Sequence, residues 1–414
     1  MLDIQFIRDN PEMVAQKSAE KGYQVDITQL LGFDTERREL LTEVENLRRA
    51  RNELTAQSNG GKPTDEILEK GRQLRDQLAD LEHRLEAINE QYSKLLNTVP
   101  NVHFDDVPVG KEEDSQEISK NGEQSTGAKD HLDIMTAKDW VDFERGAKVA
   151  GTKFYFIKGD LALLENALTQ YALNFITAKG FNLVSVPNLV NSRIATGTGF
   201  APRTSEQSDE YYIEGDDLSL IATAEMPLTG MHADEIIDEA NLPLMYAAIS
   251  PCYRKEAGTY GKHTRGLFRV HQFNKLEMYV YSLPENSAEI HQKLLAIEEE
   301  LWQSLKIPYR VVNIASGDLG APAAKKYDIE YWSKADGNYR ELTSCSNCTD
   351  YQARNLNIRV RRQDGSIQTV HTLNGTAAAL ARSLVAIAEH YQTDDGNLMV
   401  PEVLVPFMGG KTQI

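Results

Sequence analysis

Residues 253–277 read YRKEAGTYGKHTRGLFRVHQFNKLE. Six cations, Arg254, Lys255, Lys262, Arg265, Arg269 and Lys275, crowd into this one stretch, with Glu256 and Glu277 among them and Gly258, Gly261 and Gly266 interrupting the middle. On the N-terminal side lies Leu244-Met245-Tyr246-Ala247-Ala248-Ile249; on the C-terminal side Phe268 to Phe273 continues through Leu276 to Tyr281. Both flanks carry the β-branched and aromatic residues of strands, which predicts a long hairpin with a glycine-rich cationic loop. Guanidinium forks match phosphate oxygens in pairs, so such a loop suits a polyanion. Read alone, it fits a solvated hairpin equally well.

The surrounding chain is acidic: 414 residues carry a net charge of −18. That balance argues against a protein that coats nucleic acid by bulk charge and leaves room only for a local basic patch. Three cysteines, Cys252, Cys345 and Cys348, make no disulfide framework, as expected of a reducing compartment. The N-terminus has no apolar signal core and no run is long enough to cross a bilayer, so a cytoplasmic protein with nothing removed and no membrane partner is expected. The length suits two or three domains.

Upstream lies the strongest periodic signal. Leu74, Leu78, Leu81, Leu85, Ile88, Tyr92 and Leu95 alternate spacings of four and three, and Leu40, Val44, Leu47 and Leu54 do the same, with Arg51 at a seam position. The segment 57–63 (QSNGGKP) cannot continue a helix. Two helices within about 27–98, each on the order of 45–50 Å long at 1.5 Å per residue, therefore form an antiparallel hairpin. Arg48, Arg49 and Arg51 approach its tip. A short helical lead-in precedes it, with Asn10-Pro11 as a helix start. Residues 108–129, rich in Asp, Glu, Gly and Ser, read as a linker. From residue 130 the chain mixes helices (160–179, 287–305, 377–390) with strand-like segments, which points to an α+β domain with a largely antiparallel sheet.

Two short motifs carry little. Cys345-Ser346-Asn347-Cys348 has the spacing of half a zinc site, but no second pair accompanies it, and structural zinc takes four ligands, so none is expected. Gly197-Thr198-Gly199 lacks the rest of any phosphate-binding fingerprint.

Taken in order behind the helical hairpin, Thr223-Ala224-Glu225, the cationic hairpin, Glu341-Leu342-Thr343-Ser344 and Asn374-Gly375-Thr376 with Arg382 resemble the bacterial-type seryl-tRNA synthetases, members of class II of the aminoacyl-tRNA synthetases. The likeness spans essentially the whole chain. Phe181–Pro187, Tyr253–Glu277 and residues 374–406 resemble the three class II motifs in turn. It implies a class II antiparallel sheet flanked by helices, a tRNA-binding domain over residues 1–107, and a catalytic domain over 130–414. It also implies a homodimer with the strand near Pro187 at its interface.

The same resemblance implies a serine–tRNA ligase. ATP and L-serine would give seryl-adenylate, and the seryl group would pass to the terminal adenosine of tRNA(Ser), with tRNA(Sec) as a second candidate acceptor. Arg254 would bridge the serine carboxylate and the α-phosphate, and Arg382 would hold the γ-phosphate; these two are the catalytic candidates. Lys255, Glu256, Val270, Phe273, Glu341, Leu342, Thr343 and Ser344 would complete the ATP site. Within it Glu256 would take the adenine amino group, Phe273 would stack on the base, and Glu341 and Ser344 would ligate Mg²⁺. Thr223, Ala224, Glu225, Glu277, Asn374 and Thr376 would join Arg254 around serine. Arg48, Arg49 and Arg51 would meet the tRNA. Such a reaction needs charge neutralisation and positioning more than acid–base work. The family usually has glycine where this chain has Ala377 and Ala381. Two other readings remain: a class II relative that loads an amino acid onto a carrier protein, and a non-catalytic paralogue.

Overall fold

The heptad spacing produces the expected helices in the computed structural model, which describes residues 1–57, 64–199, 210–256 and 265–414. The tip turn 58–63, Phe200 of the glycine loop, and residues 257–264, including Gly258, Gly261 and Lys262, lie outside the described residues. The chain divides into two compact units, residues 2–100 and Met1 with 101–414.

In the first unit, α1 (Ile27–Gln57) and α2 (Asp65–Leu96) pack on each other after two short helices, Ile4–Asp9 and Pro11–Glu20. Thr64 caps α2 by accepting from the Ile67 amide. Leu40, Val44, Leu78, Ile88 and Tyr92 are buried along the seam. Leu81 and Leu85 are half-buried, and beyond Leu78 and Val44 toward the tip Leu74, Leu47 and Leu54 are half-buried and Arg51 exposed, so the seam opens there. At its other end Leu96 is buried and Leu95 is not, the drift expected when a 3.6-residue helix follows a 3.5-residue pattern.

The second unit is built on an eight-stranded sheet. Its strands are β1 (Gln116–Asn121), β2 (Asn182–Leu183), β3 (Leu244–Tyr253), β4 (Gln272–Ser282), β5 (Tyr309–Asn313), β6 (Lys325–Ser333), β7 (Asn338–Asn347) and β8 (His371–Ala379), in the spatial order β1-β5-β6-β7-β8-β4-β3-β2. Every pairing is antiparallel except β2 on β3. The stretch read as a linker differs from that expectation: Gln116–Asn121 is the edge strand on β5. An exposed edge strand is short and polar by design, so its composition mimics a linker.

Strand alternation divides the core. On β4, Leu276, Met278 and Val280 face a large apolar cluster with α3 (Gly159–Ala178), α4 (Ser287–Ser304) and α5 (Leu380–Tyr391), while Tyr279 and Tyr281 face a second cluster with Leu228 and Leu356. Lys275 and Glu277 therefore lie on the tyrosine side of the sheet. The hairpin's return limb is the main departure from the sequence reading. Gly266–Phe268 is a short 3₁₀ turn, and the strand begins only at Gln272. Gly266 has φ +60°, which an extended strand cannot accommodate.

Candidate active site

Four adjacent strands, β3, β4, β8 and β7, bring the sequence motifs together. Arg254 continues β3 by one step: its amide donates to the His271 carbonyl and its own carbonyl meets His271 Nδ1. The cross-strand register then sets Thr376 beside Glu277 and Ala379 beside Lys275. A bulge between Thr376 and Ala378 occurs at Ala377, one of the two unusual alanines. Ala377 is buried in the core and Ala381 lines the cleft.

The cleft holds about 610 Å³ of atom-free space, its mouth included. Arg254, Glu256, Val270, Phe273, Glu341, Leu342, Thr343, Ser344, Thr376 and Arg382 line it. The Arg254 guanidinium lies 5.4 Å from the centre of the Phe273 ring and its Nε donates to the Ala222 carbonyl. Glu256 pairs with Arg269. Arg382 lies over the Phe268 ring at 4.9 Å, donates to the Phe268 carbonyl, and pairs with Glu341 at 3.0 Å. Burial pushes the Glu341 carboxyl up, but Arg382 and Lys326 outweigh it and hold it down at about 2. Glu341 keeps 45% side-chain exposure, so solvent screens this pairing. Lys255 points elsewhere: it is exposed, with its ammonium over the Tyr211 and Tyr212 rings.

Behind the cleft lie two buried carboxylates. Glu225 opens the six-residue helix Glu225–Gly230 and accepts from Gln352 at 2.7 Å and Asn374 at 3.0 Å. Burial, helped by nearby Glu277, pushes its carboxyl up to about 7. Glu277 accepts from Lys275 and, at 3.4 Å, from Thr376. Burial raises its carboxyl too, against the opposing pull of Lys275. Asn374 and Thr376, two apart on β8, thus tie the two acids together across one sheet face. Thr223 is buried and its hydroxyl accepts from the Glu225 amide, while Ala224 packs without exposure. Gln352, Lys275, Arg269 and Phe268 complete the site. The sequence held a partial signal for Arg269 and Lys275, which belong to the cationic stretch, and none for Gln352.

A cleft that sets two half-buried guanidinium groups before two buried acids has the makings of a receptor for a polyphosphate beside a small cation. Residues 1–103 match the family model described as the seryl-tRNA synthetase N-terminal domain, and residues 208–391 match the tRNA synthetase class II core domain (G, H, P, S and T). The serine–tRNA ligase of Dictyoglomus turgidum is 44% identical over 99% of this chain and 98% of its own. The chain belongs to the seryl-tRNA synthetases. Among solved structures, the Pyrococcus horikoshii seryl-tRNA synthetase complexed with ATP matches this synthetase with a TM-score of 0.90 at 41% identity, covering 100% of this chain and 99% of the other. The cytoplasmic serine–tRNA ligase of Naegleria fowleri in complex with AMP matches at 0.85 with 33% identity, over 100% and 98%.

Among the described residues no group of three or more His, Cys, Asp and Glu side chains could hold a metal ion, and the three cysteines are free and buried. No helix of these residues is long and apolar enough to cross a membrane.

Proposed function

We infer that this synthetase activates L-serine with ATP to seryl-adenylate and transfers the seryl group to the terminal adenosine of tRNA(Ser), with tRNA(Sec) as a candidate second acceptor. The observation that carries this reading is the pair of buried acids, Glu225 and Glu277, joined through Asn374 and Thr376 beside Arg254. A small amino acid offers an ammonium and a hydroxyl to such acceptors, and an analogue lacking either forfeits a bond to a buried acid.

In this reading Arg254 neutralises charge between the serine carboxylate and the α-phosphate, and Arg382 holds the γ-phosphate. Phe273 stacks on the adenine, Val270 lines its site and Glu256 takes its amino group. In-line attack by the serine carboxylate then forms the acyl–phosphate bond as the bond to pyrophosphate breaks. The residues present fit Mg²⁺: the half-exposed Glu341 carboxylate and the Ser344 hydroxyl are hard oxygen donors in the cleft that would hold the ion as it arrived with the nucleotide. When bound, it would neutralise phosphate charge.

Two copies of the chain would form the working enzyme. Leu183 and Leu189, flanking Pro187, are 46% and 37% exposed and offer an apolar surface for that purpose. The helical hairpin would grip the tRNA, with Arg48, Arg49 and Arg51 near its tip. Arg48 is exposed and shared with Glu82 at 2.6 Å, a pairing weak enough to yield to a phosphate. The test is deletion of Ile27–Thr98. Serine-dependent ATP–pyrophosphate exchange is expected to persist while tRNA charging disappears; equal loss of both activities contradicts this division of labour.

A further inference from the structure

His131 opens the seven-residue helix His131–Ala137, capped by Asp130, and is buried although it lies in none of the sequence motifs. Its Nε2 accepts from the Leu267 amide at 3.3 Å, on the return limb of the cationic hairpin. Gly266 makes that approach possible: a Cβ there would stand 2.3 Å from His131 Nε2. An accepting Nε2 leaves the proton on Nδ1, which lies 3.5 Å from the Asp130 carboxylate. Burial lowers the ring's affinity for a second proton, which keeps Nε2 an acceptor.

The turn held in this way carries two contacts of the cleft. Phe268, next in the chain, supplies both the ring and the carbonyl that hold Arg382, and Arg269 holds Glu256. We propose that His131 is a positioning residue of the nucleotide site: by anchoring Gly266–Phe268 it fixes Arg382 and Glu256 for ATP. This rests on reading the cleft as the ATP site and deepens that reading. A histidine that merely fills the core would affect stability and leave the relative affinities for ATP and serine alone.

The test compares wild type with His131→Gln, His131→Asn and His131→Ala, using calorimetric ATP binding together with ATP and serine KM values in exchange. Gln carries an acceptor to the position of Nε2; Asn carries one only as far as Nδ1. Loss of one hydrogen bond to a buried amide should weaken ATP about five-fold in the Ala and Asn variants. Serine KM should stay put, and Gln should restore most of the ATP affinity. The Asn variant carries the comparison if the Ala variant fails to fold. Unchanged ATP affinity in the Asn variant, equal shifts for ATP and serine, or a Gln variant no better than Asn would overturn the proposal. Wild-type protein that binds ATP without serine exchange would refute the functional reading while the calorimetric comparison still decides His131. Wild-type protein that does not bind ATP would overturn both.

Discussion

The Lys275 ammonium lies 2.5 Å from the Glu277 carboxylate, and both side chains are almost wholly buried, at 9% and 1% exposure. They sit two apart on β4, so one strand face carries both, Lys275 lining the cleft and Glu277 behind it. Removing one member strands the other. Lys275→Met should destabilise the catalytic unit by about 3 kcal/mol, as broken buried pairs do. With its cation gone the Glu277 carboxyl moves further up, so the native state holds that proton more tightly than the unfolded chain does. The variant's stability should therefore fall more steeply than wild type as pH rises. Urea titrations across pH check this, and the double variant Lys275→Met/Glu277→Gln should recover part of the loss.

Glu225 gives a pH signature in both stability and binding. Its carboxyl is raised to about 7, mainly by burial. Its contribution to stability is complete below the unfolded carboxyl value and fades as pH rises through 7, where the buried acid must ionise. The ionised form is the one that pairs with an ammonium. Serine KM should thus fall as pH rises toward 7, by about tenfold per unit on the acid side, and then level off. Glu225→Gln should raise serine KM, leave ATP KM nearly unchanged and abolish that slope. A slope that survives in the Gln variant would assign the titration to another group.

Arg382 touches an aromatic face, a carbonyl and a carboxylate at once. Lysine keeps the charge but not the planar fork. Arg382→Lys should lower exchange by about a hundred-fold, the scale of losing one charge-stabilising donor. Arg254→Ala should remove adenylate formation with an unchanged thermal midpoint. Single-turnover assays with both variants separate these outcomes, and a fully active Arg254→Ala protein would remove Arg254 from the mechanism.

The parts of this molecule written in local periodicity were legible in its sequence. Leu78 and Ile88 announced α2, and the β-branched and aromatic runs announced β3 and β4. What escaped depends on long-range contact. Gln352 lies 127 positions from Glu225, and His131 lies 136 from Leu267, so no local pattern connects them. The return limb misled for a related reason. Phe268 to Phe273 has strand composition, yet Gly266 and the His131 ring bend its start into a turn. The edge strand Gln116–Asn121 was hidden by its polarity, since neither of its faces is buried. Of the residues the resemblance assigned to ATP, all of them described, Lys255 alone points away from the cleft, over two tyrosine rings, because its neighbours Arg254 and Glu256 take the inward positions.

The most direct test of the account is amino-acid-dependent ATP–pyrophosphate exchange by the full-length protein, run separately with each standard amino acid. Serine alone should support strong exchange, with threonine and alanine far weaker because each misfits or under-fills the receptor around Glu225 and Glu277. Strong exchange with an amino acid other than serine, or none with any, would contradict it.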